Sequence, residues 1–498
     1  MSETTQTIEI PHVSMQELRE RGELPSTKEG LAIELAMRVG DVLASAGASA
    51  KDTVVMMRRI CQAYGLDRAQ LDINLNMIMA SYYPGQGMPP FTAIRTVSPV
   101  VSNLTKVSKV NALVREIGQG LSITRATKKF DRIRKSELPY HPLLAALAAG
   151  GISMSVQLFF TRDVLMLMLA LITGFLVNRF VYLLKEWGLP TFFQQLFGGW
   201  LVIAIAAGFT WLNAHPDLGL GYISPTTIAV GCIFQLVVGA RFVAGVQDAI
   251  DGFYVTATAR ILEVVLLTAG LVIGLLTGLD LARRLGINVY LSTSVLTPQD
   301  PAFQLIAATT TALLWAISRY ANIPTLIMTA VTTLIARATF LLVQTLDAST
   351  VIASFAGPMV AAFIATILVR RFHRIPTFGV INAMGVPFVP GMALYMGLLQ
   401  TVGTNNADPD PSLGGTTLGT AAAVALAIAA GASLGIFFGR PVSERLMMIP
   451  RTWNQLLNRG TDQAPKHQIA NPAGGKLKHL KAKKQPDENP DPSTDKGI

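Results

Sequence analysis

Cysteine and histidine are scarce in this chain of 498 residues, and their scarcity excludes several kinds of site. The two cysteines, Cys61 and Cys232, lie in a polar region and in an apolar run, so we expect no disulfide framework. The six histidines are scattered without metal-ligand spacing. The sequence also lacks a G-x-x-x-x-G-K-[ST] phosphate loop, which argues against ATP hydrolysis. We therefore predict neither a metal site nor a bound cofactor.

Charge is scarce as well. Charged residues make up 14% of the chain and hydrophobic residues 51%, a balance that is not typical of a water-soluble protein. Apolar runs long enough to cross a bilayer as helices, which takes about 20 residues, recur between residues 142 and 439. The net charge of +10 comes mostly from Lys and Arg beside these runs and in the tail. It therefore indicates contact with membrane lipid rather than a nucleic-acid partner.

The N-terminal region has no such runs. Residues 1–28 are polar and are predicted to be disordered, with no signal peptide. Residues 29–140 show helical and strand-like periodicities and predict a small α+β domain. Its predicted helices cover 29–46, 50–64, 106–117 and 122–136, and its predicted strands cover 71–79 and 91–97.

Ten apolar segments follow and predict a mainly α-helical, polytopic membrane bundle of about ten transmembrane helices. They cover about 142–160, 164–184, 194–214, 221–240, 253–279, 303–320, 323–343, 349–369, 376–400 and 414–438. Five segments lie on each side of the polar stretch 280–302, so we predict two halves, 141–280 and 303–439.

The distribution of basic residues predicts the orientation of the bundle. Six Lys and Arg residues between 125 and 135 precede the first segment and place the α+β domain in the cytoplasm by the positive-inside rule. An even number of spans then returns the C-terminus to the same side. Residues 440–498 are predicted to form a basic, disordered cytoplasmic tail that touches anionic lipid.

The densest group of charged residues near the apolar segments lies between 238 and 263. A charge at the centre of a span costs roughly 2.5–3.5 kcal/mol, so such residues are candidate functional groups. The candidates for proton coupling are Asp248, Glu263 and Asp251, and those for substrate binding are Arg260 and Gln247. The alternatives are a loop with solvated charges and, for Arg260, a structural ion pair with Glu263.

A second polar group, residues 382–395, lies in the uncharged stretch 375–407, and its two prolines and two glycines predict a broken helix. Broken helices free backbone groups that transporters use to hold small charged substrates, although a merely kinked span is the alternative. The substrate-binding candidates here are Asn382, Pro387, Pro390, Gly391 and Tyr395. Thr191 and Gln194, at the start of the third segment, are further candidates that a membrane-interface position would explain equally well.

Gly431, Ser433 and Gly435 match the G-x-S-x-G pattern of hydrolases, but they lie within an apolar helix. Gly431, Gly435 and Gly439 recur every four residues, a spacing that predicts a close helix-packing face.

Taken together, these segments resemble the bacterial threonine/serine exporter family over most of the chain. In the N-terminal region the likeness lies in Arg38-Val-Gly40-Asp41-Val-Leu, Ser45-Ala-Gly47-Ala-Ser49, Asp52-Thr53 and Ala63-Tyr64-Gly65-Leu66. In the apolar region it lies in Gly188-Leu-Pro190-Thr191-Phe192-Phe193-Gln194, Gln247-Asp248, Ala259-Arg260 and Pro387-Phe-Val-Pro390-Gly391-Met-Ala-Leu-Tyr395. Ala249 replaces the glycine usual in the family, and Asp251 is not usual there, so the resemblance ranks Asp248 above Asp251.

The resemblance implies a multi-pass protein of the bacterial cytoplasmic membrane that exports threonine and serine by secondary transport driven by the proton motive force. Small amino acids, protons and lipid are then the expected partners, and self-association is left open. Two alternatives are an intramembrane hydrolase and a membrane receptor with a cytoplasmic sensing domain. No histidine is positioned to activate an intramembrane serine, and two polar groups at membrane depth are hard to reconcile with a receptor, so we predict a transporter and not an enzyme.

Overall fold

The structure is a computed structural model that describes residues 27–84, 90–97, 103–215, 222–237, 239–289, 300–371, 377–388, 397, 400 and 411–461. The chain divides into two units, Met1–Met447 and Met448–Ile498. Most of the segments predicted to be disordered, residues 1–26 and 462–498, lie outside the described residues. The predicted disorder from residue 440 onward differs from the structure, where the last helix continues to Thr461. Residues 444–448 (ERLMM) are strong helix formers and favour the continuation between Pro441 and Pro450.

The α+β region contains four helices and a three-stranded antiparallel sheet of order β1-β2-β3. Its elements are α1 (Thr27–Ser45), α2 (Ala50–Ala63), β1 (Gln70–Asn74), β2 (Met77–Tyr82), β3 (Phe91–Thr96), α3 (Leu104–Gly118) and α4 (Ile123–Arg134). All four helices lie where periodicity predicts them. Their apolar faces meet one face of the sheet in a single core that includes Ile33, Met57, Ile78, Leu113 and Phe130.

The one strand predicted at 71–79 is wrong, because the structure forms a hairpin there. β1 pairs with β2 across a two-residue turn in which Asn74 faces Met77. Leu75 adopts a φ of 30°, a left-handed conformation that a leucine side chain seldom takes. Its N–H donates to Thr256 Oγ1 at 3.4 Å, so a contact with a distant helix supports the turn. The predicted pairing of 91–97 is confirmed by the β2–β3 ladder.

The apolar region forms a helical bundle. Its helices are α5 (Pro142–Gln157), α6 (Val164–Glu186), α7 (Thr191–Asn213), α8 (Pro225–Leu236), α9 (Gly239–Ile250), α10 (Tyr254–Arg284), α11 (Pro301–Ser318), α12 (Ile323–Gln344), α13 (Thr350–Arg371) and α14 (Thr377–Gly385). A 3-10 helix at Val386–Phe388 follows α14, and α15 covers Pro411–Thr461.

Within the described residues, seven helices are long and apolar enough to cross a membrane, or up to eight if the bent pair Pro225–Leu236 and Arg241–Ile250 forms one span. A polytopic membrane bundle is therefore supported, but the predicted count of about ten is not confirmed. The two remaining predicted segments, 142–160 and 376–400, correspond to shorter helices. α5 ends at Gln157, and α14 gives way to the 3-10 helix just before Pro387.

Two turns of the bundle hold the α+β region. The α9–α10 turn contacts α2 and β1, as described below. The α11–α12 turn holds the start of α3, since Leu104 N–H donates to the Arg319 carbonyl at 2.9 Å and Thr105 Oγ1 donates to the Tyr320 carbonyl at 2.6 Å. Tyr140 stacks on Tyr320 with ring centroids 5.5 Å apart. We call the end of the bundle that carries these two turns the domain end.

Glycines allow close helix packing in the bundle. A Cβ on Gly431 would lie 2.2 Å from the Phe355 carbonyl oxygen, and one on Gly435 would lie 2.2 Å from that of Met359. The predicted packing face of α15 is therefore confirmed. The closest approach joins α10 to α7, where a Cβ on Gly274 would lie 2.0 Å from the Leu196 carbonyl oxygen.

This contact yields a stability prediction. We expect Gly274→Leu to lower the Tm of the detergent-purified protein clearly, because overpacking a tight contact costs about 1–3 kcal/mol or more. Gly208→Leu on α7 is the matched control, since nothing lies within 4 Å of a Cβ built there. Equal Tm values for the two variants would contradict the packing described here.

Candidate functional site

The first turn of α2 meets the α9–α10 turn, and each supplies hydrogen-bond partners that the other lacks. The first N–H groups of a helix have no partner within the helix. Ser49 caps α2 by accepting from Asp52 N–H at 3.1 Å. Ala50 N–H donates instead to Asp248 Oδ1 at 2.9 Å, although the two residues are far apart in sequence. A carboxylate at this position also interacts favourably with the helix dipole.

Asp248 forms a buried ion pair with Arg260. Asp248 is fully buried, and its Oδ2 lies 2.8 Å from Nη1 of Arg260, whose side chain is 13% exposed. Arg260 Nη2 also donates to the Ala48 carbonyl at 3.1 Å. The pair thus binds both sides of the turn that precedes α2, and it holds the α+β region against the bundle.

The alternative pairing of Arg260 with Glu263 is not found. Glu263 pairs instead with Arg241 at 2.5 Å, and both side chains are about 40% exposed. The spacing within α10 indicated a local pair, but α9 packs beside α10 and offers Arg260 a buried carboxylate. Burial of Asp248 makes pairing with a guanidinium more favourable than an exposed pair with Glu263.

Beside this buried pair lies a cavity of about 540 Å³. Three elements provide its polar lining: the start of α2, the end of α9 and the middle of α15. Phe355 and other apolar side chains complete the wall. The polar lining residues are Ser49, Lys51, Asp52, Gln247, Asp251, Ser433 and Arg440. All the lining residues that belong to α15, polar and apolar, lie between residues 430 and 440. This stretch extends about 15 Å along the helix.

Charges of both signs face one another in this cavity. Lys51 Nζ donates to Asp251 Oδ1 at 2.5 Å. Burial raises the pKa of Asp52, although Arg440, the Ser49 hydrogen bond and Lys51 act in the opposite direction and Asp251 adds to the rise. Asp52 is therefore a carboxyl group that takes up a proton more readily than a solvated aspartate does. Such a group can take up and release a proton when its surroundings change.

The structure brings some of the predicted site residues together and separates others. Gln247 and Asp251 line the cavity, and Asp248 and Arg260 lie beside it in the buried pair. Thr191 is exposed at the start of α7, and Gln194 donates to the Leu189 carbonyl at 2.6 Å. Neither Thr191, Gln194 nor Glu263 is among the lining residues.

The predicted broken helix is only partly described. Asn382 lies in α14, and Pro387 lies in the 3-10 helix that follows it. A change of helix type at this place is what a proline within an apolar segment favours. Pro390, Gly391 and Tyr395 lie outside the described residues.

Sequence reasoning missed several polar residues that the structure reveals. Ser49, Lys51 and Asp52 belong to the α+β region, and no sequence pattern indicated that α2 would complete a cavity of the bundle. Arg337 is different, because it is a lone charge inside the seventh apolar segment and could have been found by that signal.

The buried pair predicts strong coupling between its two members. Asp248→Asn or Arg260→Met alone should destabilise the protein by about 3–5 kcal/mol, because each leaves the other charge buried without its partner. The double variant should lose less than the sum of the two. Thermal unfolding of the three variants measures the coupling.

Glu263→Gln is the control for this comparison of single and double variants. Its exposed pair with Arg241 should contribute about 1 kcal/mol or less to the stability of the protein. Additive losses for Asp248 and Arg260 would show that the pair is not coupled.

The raised pKa of Asp52 predicts how stability changes with pH. Between its ordinary value of 3.8 and its raised value, the folded protein holds a proton that the unfolded chain releases. Asp52 therefore opposes folding increasingly as the pH rises through this window. We expect the stability of Asp52→Asn, measured from pH 4 upward, to gain relative to that of the wild type. If the stabilities of the wild type and of Asp52→Asn depend on pH in the same way, the raised pKa of Asp52 is contradicted.

Comparison with known families matches both parts of the chain. A family described as "Putative threonine/serine exporter" matches residues 34–282, and one described as "Threonine/Serine exporter, ThrE" matches residues 301–438. The cavity draws its lining from both matched ranges, since α9 lies in the first and Phe355 and Ser433 in the second.

Two curated relatives match nearly the whole chain. A threonine/serine exporter of Corynebacterium glutamicum is 31% identical over 84% of this chain and 84% of its own length. A probable threonine/serine exporter of Mycobacterium tuberculosis (strain ATCC 25618 / H37Rv) is 28% identical over 82% of this chain and 77% of its own length. No solved structure matches the chain. The family matches and the extent of these alignments show that the chain belongs to the threonine/serine exporter family.

Proposed function

We propose that this protein exports threonine and serine from the cytoplasm by secondary transport driven by the proton motive force. The relatives are named as exporters, which supports transport rather than catalysis. The observation that carries the proposal is the cavity at the domain end, which has cationic, anionic and hydroxyl groups in its wall. Such a set is complementary to a small amino acid, which carries an ammonium, a carboxylate and, in threonine and serine, a hydroxyl.

Each group of the substrate has a partner in the cavity. Arg440 or Lys51 would bind the carboxylate, and Asp251 with Gln247 would bind the ammonium group. Ser433 Oγ is buried, has no hydrogen-bond partner in the described part of the chain, and would bind the substrate hydroxyl. A volume of about 540 Å³ is within the range of sites for small molecules. The cavity would thus be the cytoplasmic entrance of the transport path.

Proton coupling would use the carboxyl groups of this entrance. Asp52 and Asp251 both line the cavity, and Asp52 has a raised pKa. Lys51 directly precedes Asp52 in the sequence and pairs with Asp251, so one ammonium group lies next to both carboxyl groups and could pair with either. Asp248 would act indirectly, since it holds α2 in place through Ala50 and Arg260. Glu263 is a candidate only for a proton step outside the cavity.

The membrane topology that we propose has ten spans with both termini in the cytoplasm. The seven long helices and the bent pair α8–α9 account for eight. The shorter apolar helix α5 and the broken segment that begins with α14 would supply the other two. The basic residues between 125 and 135 would place the domain end in the cytoplasm. The α9–α10 and α11–α12 turns, which hold the α+β region, would then face the same side.

The broken ninth segment would lie along the path of the substrate. Val380 and Met384 of α14 and Phe388 of the 3-10 helix pack with Met328 and Phe340 of α12. Backbone groups freed near Pro387 and Pro390 would bind the charged ends of the substrate as it leaves the entrance. Asn382, Gly391 and Tyr395 belong to the same proposed contact.

Transport in proteoliposomes tests this function. Vesicles loaded with labelled threonine should release it faster with an imposed proton gradient than after an ionophore collapses the gradient. Asp251→Asn and Asp52→Asn should lose most of that stimulation, because they remove carboxyl groups of the entrance. Asp67→Asn is the control, since Asp67 is an exposed carboxylate of the α+β region.

The outcomes separate the parts of the proposal. If the wild type shows no threonine or serine efflux under any gradient, the export function is wrong. If efflux persists but ignores the proton gradient, only the driving force is wrong. Full stimulation in both aspartate variants would remove them from the coupling step.

A further inference from the structure

Helix α12 carries a buried polar face inside the bundle. Thr325, Thr329, Thr332 and Thr333 are fully buried. A threonine within a helix usually satisfies its hydroxyl by donating to the carbonyl one turn earlier. Thr332 does so, since its Oγ1 donates to the Met328 carbonyl at 2.8 Å. Within the described residues, Oγ1 of Thr329 and Oγ1 of Thr333 have no hydrogen-bond partner.

A third buried polar atom on α12 lacks a hydrogen-bond partner, and it belongs to a charged side chain. Nε of Arg337 is buried and, in the part of the chain that the structure describes, makes no hydrogen bond. Thr329, Thr333 and Arg337 are spaced four residues apart, so they lie one above another on the same face of α12. Buried polar atoms without partners call for an explanation, and three of them on one face of one helix are a set that a single polar molecule could satisfy.

The charge of Arg337 is only partly compensated. Its Nη2 donates to Gln304 Oε1 at 2.5 Å, and its guanidinium lies 5.5, 4.5 and 5.9 Å from the ring centroids of Phe159, Phe340 and Phe388. No carboxylate of the described residues lies within 4.0 Å of it. Arg260, by contrast, has Asp248. An arginine within a span without a carboxylate is costly and is typical of a substrate pathway.

Arg337 is not among the residues that line the entrance cavity. It is about 10 Å along the helix from the end of α12 at Gln344, which is the end opposite to the α11–α12 turn. Phe388, which stacks against its guanidinium, belongs to the 3-10 helix where the ninth segment breaks. Arg337 therefore lies against the 3-10 helix in which α14 ends.

We propose that Arg337, Thr333 and Thr329 form a second amino-acid binding site on the exit side of the bundle, in which Arg337 binds the carboxylate of the substrate. The planar guanidinium can bind a carboxylate through two parallel hydrogen bonds. The two threonine hydroxyls, which make no hydrogen bond in the described part of the chain, then bind the ammonium or hydroxyl group of the same molecule. This inference rests on the proposed function, because it gives the exported amino acid a binding site between the entrance cavity and the far side of the membrane.

The burial of Arg337, Thr333 and Thr329 is consistent with an alternating-access mechanism. A carrier closes its path on one side while the other side is accessible. The groups of the second site contact α11, α12 and the 3-10 helix, whereas the polar lining of the entrance cavity comes from α2, the end of α9 and α15. The substrate would reach Arg337 only after the bundle rearranges.

Two neighbouring threonines provide a matched test of the hydroxyls. Thr333→Val and Thr332→Val remove one hydroxyl each from fully buried positions on the same helix. Thr332 loses only a bond to its own backbone, so its variant should transport threonine at a near-normal rate. Thr333→Val should raise the KM for threonine several-fold while its Tm stays equal or rises, because an unsatisfied buried hydroxyl is lost. Equal transport by both variants would remove Thr333 from the site.

Recognition of the carboxylate is tested with a substrate analogue. Wild-type proteoliposomes should prefer labelled threonine over threoninamide, which has no carboxylate. Arg337→Gln should reduce this preference about tenfold or more, because it removes a charge-assisted hydrogen bond. Arg337→Lys should restore part of the preference, since it keeps the charge but not the bidentate geometry. A merely structural role for Arg337 would lower the amount of folded protein without changing the preference.

Arg179→Gln is the control for loss of a span arginine, since Arg179 is exposed and lies over the Tyr182 ring. A wild type that transports neither compound would refute the proposed export function. A wild type that prefers threonine, together with an Arg337→Gln variant that keeps the same preference, would refute the second site alone.

Discussion

The buried pair between Asp248 and Arg260 is the constraint on which the candidate site depends. Removing two charges from water is expensive, and a buried pair is tolerated when further hydrogen bonds satisfy both groups. Here Ala50 N–H donates to Asp248 Oδ1 and Arg260 Nη2 donates to the Ala48 carbonyl, while Oδ2 and Nη1 are held together by charge at 2.8 Å. Because Ala48 and Ala50 flank Ser49, the pair fixes where α2 begins. It thereby sets the positions of Lys51 and Asp52 opposite Asp251, and without it the entrance would lack one wall.

The α+β region is attached to both halves of the bundle. The Asp248–Arg260 pair joins α2 to the first half, and the α11–α12 turn joins α3 to the second half through Leu104 and Thr105. Both attachments use backbone groups at the start of a helix, which have no partner within that helix. Because α2 and α3 share one core, a shift of one half relative to the other must move or strain the domain. The domain is therefore placed to couple the entrance to movements of the bundle.

Much of the fold could be predicted from the sequence because its signals are local. Hydropathy located the seven long apolar helices, and periodicity located α1 to α4, whereas α9 lies almost entirely beyond the predicted segment 221–240. The hairpin at Leu75 could not be predicted, since alternation continues through both strands and the turn is supported by Thr256 of a distant helix. The partner of Arg260 could not be predicted either, because sequence spacing shows Glu263 as a neighbour but does not show that α9 packs beside α10.

The candidate site was predictable only in part, for the same reason. Asp251 and Gln247 stand out in the sequence because charge is rare near the apolar segments, whereas Asp52 lies in a polar region where carboxylates are common. The cavity exists only because two regions distant in sequence meet. Arg337 shows the converse, because a lone charge within an apolar segment is visible without any structure, yet only its surroundings show that it lacks a carboxylate.

The two polar sites differ in charge, and the difference has a physical consequence. The entrance holds Lys51 and Arg440 together with Asp52 and Asp251, so it can bind a zwitterion without leaving net charge in the cavity. Arg337 offers only positive charge in the described part of the structure, so it would bind the carboxylate and leave the ammonium to carbonyl and hydroxyl dipoles. When the substrate moves from the entrance to the second site, its ammonium group leaves the carboxylates of the entrance. At the second site it contacts only dipolar groups. Weaker binding at the second site is what release on the far side requires, because a carrier that held its substrate equally tightly throughout would export it slowly.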